Sequence, residues 1–183
     1  MLSYKESLEI LKETNALLEG HFILSSGLHS PQYVQCAQLL SKPHKAEKLC
    51  LSLAEKIKKE FSNIDLILSP AMGGIVIGYE IGRILKLETI FAERVNNSFR
   101  LRRGFNIKEK ANVLIVEDVI TTGKSSLEAS RLVEESNANI VGYACIIDRS
   151  NKRSKINKNI VCQIELQIPS YEEKDIPQEL SKI

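Results

Sequence analysis

Beyond residue 64 the chain alternates short apolar runs with helical patterns, and this alternation narrows the fold more than any other feature. The runs are IDLILS (64–69), a weaker one from Glu88 that closes on Phe91-Ala92-Glu93, NVLIVED (112–118) and NIVGYACIID (139–148). Uninterrupted apolar runs of this length suit strands covered on both faces, as in a parallel sheet. Between them, residues 72–85 carry Gly74, Gly78 and Gly82 at i, i+4 spacing beside Ile77, Ile81 and Leu85. Residues 123–136 place Ala129, Leu132 and Val133 on one helical face. Strand, helix, strand is the signature of right-handed βαβ units. The expectation is an α/β fold, a Rossmann-like parallel sheet flanked by helices. NIVCQIELQI (159–168) alternates Cys162, Ile164, Leu166 and Ile168 against Val161, Gln163, Glu165 and Gln167, which predicts a half-solvated edge strand. Upstream, residues 5–19 predict an amphipathic helix with Leu8, Leu11 and Leu18 on one side. Residues 44–61 predict another, with Leu49, Leu53, Ile57 and Phe61 every four residues and Pro43 just ahead. The texture divides the chain into an N-terminal part, 1–60, and a core, 61–183, joined in a single compact unit.

Composition removes several classes of function. With 183 residues, 43% of them hydrophobic, the chain can bury a core without disulfide or metal staples. The balance of 25 basic and 23 acidic residues argues against a protein that coats polyanions. The absence of tryptophan argues against a stacking platform for bases, so no nucleic-acid partner is expected. The first twenty residues, MLSYKESLEILKETNALLEG, lack the apolar stretch of a signal peptide. No run of ~18 apolar residues predicts a membrane span. Cys36, Cys50, Cys145 and Cys162 form no C-x-x-C pair and read as buried thiols in a reducing cytoplasm. His21, His29 and His44 fit no zinc spacing, so no resident metal site is expected.

Chemistry concentrates in VLIVEDVITTGKSS (113–126). A buried strand ends in two adjacent carboxylates, Glu117 and Asp118, and the turn Thr121-Thr122-Gly123-Lys124-Ser125 opens a helix. Ligands of open α/β sheets bind beyond the carboxyl ends of strands. A helix N-terminus there offers free N–H groups and the positive end of a dipole. Gly123 lets backbone approach an anion, and threonine and serine hydroxyls add donors. Gly123-Lys124-Ser125 is similar to the end of a P-loop, but that motif's first glycine falls on Asp118, a carboxylate that would face the phosphates. A helix capped by Thr or Ser, with solvated acids ahead, is the plainer reading of TTGKS alone. The acid pair favours a ligand that carries hydroxyls as well as phosphate, such as a ribose 5-phosphate.

This segment resembles the phosphoribosyl pyrophosphate (PRPP) signature of type I phosphoribosyltransferases. The resemblance implies ribose 5-phosphate held by Glu117, Asp118, Val119, Ile120, Thr121, Thr122, Gly123, Lys124 and Ser125, with Mg²⁺ carried by the pyrophosphate. Ser69-Pro70-Ala71-Met72-Gly73-Gly74 is similar to the family's diphosphate loop, although the glycines also suit close helix packing. GHFILSSGLHSPQYVQ (20–35) resembles the hood of the orotate phosphoribosyltransferases in particular. There the turn at Ser25, Ser26 and Gly27 reaches the active site, and the stretch near Tyr33 and Val34 borders the base. Thr121 and Arg149 correspond to orotate contacts, Arg149 because a guanidinium pairs with a planar carboxylate in bidentate fashion. The implied activity is transfer from PRPP to orotate, giving orotidine 5′-phosphate and diphosphate on the way to UMP.

Several features depart from the best-known members. Ser25 stands where those enzymes carry a lysine in the hood turn. Between 93 and 107 the chain has no lysine or histidine. It carries Arg94, Arg100, Arg102 and Arg103 in an E-R…L-R-R-G-F form that resembles a second bacterial branch of the family. The resemblance implies a mobile loop whose arginines, Arg94, Arg102 and Arg103 above all, act with Glu117 and Asp118 in catalysis. It implies that the loop closes over the partner subunit of a homodimer. A solvated basic loop is the plainer alternative. The family's longer C-terminal tail is replaced by YEEKDIPQELSKI. Transfer to another nucleobase and a non-catalytic PRPP sensor are the rival functions.

Overall fold

The computed structural model describes residues 1–24 and 26–180. Its centre is a six-stranded sheet in the order β5-β4-β3-β6-β7-β8. The strands are β3 (Leu66–Pro70), β4 (Glu88–Val95), β5 (Ser98–Leu101), β6 (Asn112–Ile120), β7 (Asn139–Asp148) and β8 (Ile160–Glu165). All neighbours run parallel except β4 and β5. Helices α3 (Pro43–Glu60), α4 (Gly73–Leu85) and α5 (Lys124–Glu135) cover the faces. The doubly covered α/β sheet expected from the apolar runs is therefore what forms.

Alternation along the strands sorts the core into two sides. Ile67, Leu114, Val116, Ala144 and Ile146 join the cluster that holds Leu49, Leu53 and Ile57 of α3 and Ile77 and Ile81 of α4. Leu66, Leu68, Val113 and Ile90 join Ala129, Leu132 and Val133 of α5 on the other side. α4 lies very close to the sheet. A Cβ on Gly78 would collide with Ser69, and one on Gly82 with Thr89. The glycine spacing thus serves close packing along most of this helix.

Sequence and structure differ in three places. The first helix, α1, stops at Glu13 (Tyr4–Glu13), and Leu17, expected within it, begins β1 (Leu17–Ile23). Thr14 turns its hydroxyl back on the Ile10 carbonyl at 2.7 Å and Asn15 takes φ 60°, which ends the helix. β1 pairs antiparallel with β2 (His29–Val34), and a five-residue helix, α2 (Cys36–Leu40), follows. Second, the arginine-rich segment expected as a loop is partly a hairpin. β4 runs on to Val95, Asn96 and Asn97 both take positive φ, and β5 returns. Two successive residues with positive φ suit the tight turns of two-residue hairpins. Third, Gln163 was expected on the wet face of β8 but is buried, with its amide donating to the Ser7 hydroxyl at 2.8 Å. α1 covers that edge.

Candidate active site

Strand order reverses at β3, whose two sheet neighbours are β4 and β6. Crevices at such reversals, beyond the carboxyl ends of the strands, are where open α/β sheets take ligands. A cavity of about 250 Å³ opens there. Pro70, Ala71, Gly73 and Gly74 line one side, and residues 117–119 and 121–125 the other. Larger hollows exist, such as one of about 440 Å³ around Asp65, Glu88 and Lys110 at the amino ends of strands. Chemistry rather than size singles out the cavity between β3 and β6.

Local sequence explains its walls. Gly123 holds φ 76° at the N-cap of α5, a left-handed conformation that favours glycine. A Cβ there would also lie 2.9 Å from Ile156. The first N–H groups of α5 follow directly; Gly123 offers them no side-chain cap, and only the Lys124 N–H meets a side chain, donating to the Thr122 hydroxyl at 3.3 Å. Opposite, the Ala71–Met72 peptide is cis, and Gly73 opens α4. A Cβ on Gly73 would sit 2.8 Å from an Asp118 carboxylate oxygen, so only glycine admits this approach.

The two acids face different surroundings. Asp118 Oδ1 accepts from its neighbour Val119 N–H at 2.8 Å. Burial raises the Asp118 carboxyl above the usual carboxylate range, with backbone hydrogen bonds opposing. Glu117 accepts the Ser126 hydroxyl at 2.8 Å. Burial pushes Glu117 up to about 7, with the Ser126 bond opposing and the Asp118 charge adding to the rise. No three His, Cys, Asp or Glu side chains converge as a metal cage among the described residues.

A profile of the phosphoribosyl transferase domain matches residues 35–175. The curated orotate phosphoribosyltransferase of Erythrobacter litoralis (strain HTCC2594) is 42% identical over 180 residues, covering 98% of this chain and 93% of that protein. The chain belongs to the phosphoribosyltransferase family. Among solved structures, an orotate phosphoribosyltransferase from Aeropyrum pernix superposes with TM-score 0.76 at 20% identity, covering 86% of this chain and 92% of that one. An adenine phosphoribosyltransferase superposes with TM-score 0.71 at 21% identity, covering 88% and 99%. At these identities the two structures speak for the fold alone.

In this phosphoribosyltransferase the expected site residues fall into three groups. Most of 117–125 and of 69–74 share the cavity. Ile120 and Ser69 are buried beside it rather than lining it, and Met72 points outward, 83% exposed. Arg149 forms the second group. Its backbone N–H donates to the Ile120 carbonyl at 2.8 Å, beside Thr121. Its Nε is buried with no partner among the described residues, and burial lowers its pKa. The third group does not line the cavity. Arg102 and Arg103 both pair with Glu93, at 3.3 and 2.6 Å. Arg94 pairs with Glu128 at 2.6 Å and lies over the Phe99 ring. Ser26 and Gly27 sit at the far turn of the β1–β2 hairpin, and Tyr33 lies near the base of β2. Just below, the Cys36 thiol stands 4.0 Å from the Asp118 carbonyl oxygen. Ser25 lies outside the described residues. Ser126 was not among the expected site residues. A hydroxyl at the third position of a helix that follows an acid pair is its only sequence signal.

Proposed function

We propose that this phosphoribosyltransferase takes orotate as its acceptor and releases orotidine 5′-phosphate and diphosphate, a step of UMP synthesis. The observation that carries this reading is the 42% identity to an orotate phosphoribosyltransferase over nearly the whole chain. Arg149 supports it from the chemistry side. An orphaned guanidinium Nε at the carboxyl end of β7 suits a planar carboxylate, which orotate has and purines and uracil lack.

The reaction is a substitution at the anomeric carbon of PRPP. The orotate ring nitrogen forms the new bond as the bond to diphosphate breaks, and positive charge develops on the ribose. The α5 N–H groups and the hydroxyls of residues 121–125 hold the 5-phosphate. Glu117 and Asp118 accept from the ribose hydroxyls and favour the developing charge. The 69–74 turn, through residues 70, 71, 73 and 74 of the cavity wall, receives the diphosphate. Mg²⁺, held with the diphosphate against residues 70, 71, 73 and 74, would supply charge neutralisation for the leaving group. Most of the acceleration is positioning of two reactants plus preorganised electrostatics.

Arg94, Arg102 and Arg103 do not line the cavity of their own chain, which accords with a cation supply for a second copy. An exposed apolar stripe on α4, Met72, Val76 and Tyr79, starts at the edge of the site and offers that copy a surface. We therefore propose a cytoplasmic homodimer whose hairpin arginines serve the partner's diphosphate and exclude water on closing.

The test is purified protein with Mg²⁺, PRPP and a panel of bases, followed by the ultraviolet absorbance of orotate. Orotate consumption is expected, and turnover of a purine alone would overturn the assignment. Arg149→Ala should raise the KM for orotate about tenfold or more and leave the KM for PRPP nearly unchanged. An unchanged orotate KM would remove Arg149 from the base site.

A further inference from the structure

Alternation along β6 sends its two acids in opposite directions. Val116 packs toward α3 and α4, so Glu117 turns to the α5 side and Asp118 turns back to Gly73. Glu117 borders the cavity, and one hydroxyl, that of Ser126, holds its Oε2 at 2.8 Å. No donor to Oε1 is found among the described residues. Ser126 itself is fully buried and does not border the cavity. It rides on the first turn of α5, whose Lys124 and Ser125 form the cavity rim.

We propose that Ser126 is a positioning residue that acts through Glu117. Its hydroxyl pins one carboxylate oxygen and favours the ionised acid, leaving the other oxygen free to accept from a ribose hydroxyl. This role rests on the PRPP reading of the cavity and deepens it. The groups around Glu117 make the hydroxyl matter. Asp118 stands next to it on β6, the Cys145 thiol lies in register on β7, and Lys124 lies on α5, while α4 contributes only the uncharged Gly73 and Gly74. Burial and the neighbouring Asp118 both favour the protonated acid, and the Ser126 bond opposes them. The acid therefore titrates where enzymes work, and loss of one hydrogen bond shifts its charge state rather than only its packing.

The experiment compares wild type with Ser126→Ala, Glu117→Gln and the double variant. Calorimetric PRPP binding with Mg²⁺ and steady-state kinetics are measured from pH 6 to 9. Ser126→Ala should move the acid limb of kcat upward by about one unit. That is about a fivefold loss at pH 7, recovered to within about twofold at pH 9. The KM for orotate should stay put. In the Glu117→Gln background, Ser126→Ala should add less than about twofold. Ser126→Thr and Ser126→Val differ by a hydroxyl at equal volume. Threonine should keep the wild-type profile and valine should show the alanine shift, which guards against a packing defect in alanine. A profile that superposes on wild type, an equal loss at every pH, or a full loss in the Glu117→Gln background would overturn the role. Wild-type protein that binds no PRPP would sink the underlying reading before any Ser126 variant is made.

Discussion

The cradle at the end of β6 and the arginines of the β4–β5 hairpin are both dense in charge, yet they are held in opposite ways. Backbone builds the cradle. Gly123 and Gly73 set its two walls, and its carboxylates are half-buried, Asp118 against Gly73. Arg102 and Arg103 are more than half exposed and share one acid, Glu93. Exposed ion pairs contribute only about 0.2–1 kcal/mol each and are screened by salt. The cradle is therefore fixed by backbone geometry, whereas weak, solvent-screened ion pairs hold the arginines.

The largest effect should come from breaking the cradle's backbone. Gly73→Ala drives a Cβ into the Asp118 carboxylate and should cost about 100-fold or more in kcat/KM, read by steady-state kinetics. An active alanine variant would show that the wall can give. Arg102→Ala with Arg103→Ala should lower kcat about tenfold to 100-fold and move Tm by only about 1–2 °C. Mixing these subunits with inactive Asp118→Ala subunits should restore about a quarter of the wild-type activity if the arginines act across a dimer. No recovery would return them to their own chain.

Smaller effects sharpen the contrast. Glu117 is raised to about 7 in the folded chain from 4.5, so the native state holds a proton that the unfolded state has lost between those values. Stability falls with rising pH wherever the native state binds more protons. Free protein should thus lose Tm from about pH 4.5 to 7 through this group, and Glu117→Gln should flatten that part of the curve in a calorimetric scan. The smallest change is expected for Glu93→Gln. Loosening the parked arginines should alter kcat by less than about threefold and hardly touch Tm. A large fall would make Glu93 part of the catalytic apparatus.

Legibility in the sequence followed the same division. β3, β6, β7 and the helices α3, α4 and α5 stood in the apolar periodicity because local pattern and burial agree there. The glycine and acid pattern at 117–125 marked the cradle for the same reason, since each residue type answers a backbone demand. The β1–β2 hairpin was missed because Leu17 and Leu18 continue a helical spacing that Thr14 and Asn15 interrupt. The hairpin β4–β5 was hidden among charges that pair across strands rather than along them. Gln163 was misplaced because one edge of the sheet is covered by a helix from the far end of the chain.

By itself the sequence determined the parallel sheet, the glycine turn after the acid pair at 117–125 and the family resemblance, because apolar period and turn chemistry act over a few residues. Tertiary structure alone decided which side each acid faces, that Ser126 holds Glu117, that the Arg149 Nε has no partner among the described residues and that the arginines rest on Glu93 and Glu128. Those contacts depend on which distant segments meet. No local pattern encodes that meeting until strand order and helix docking bring them together.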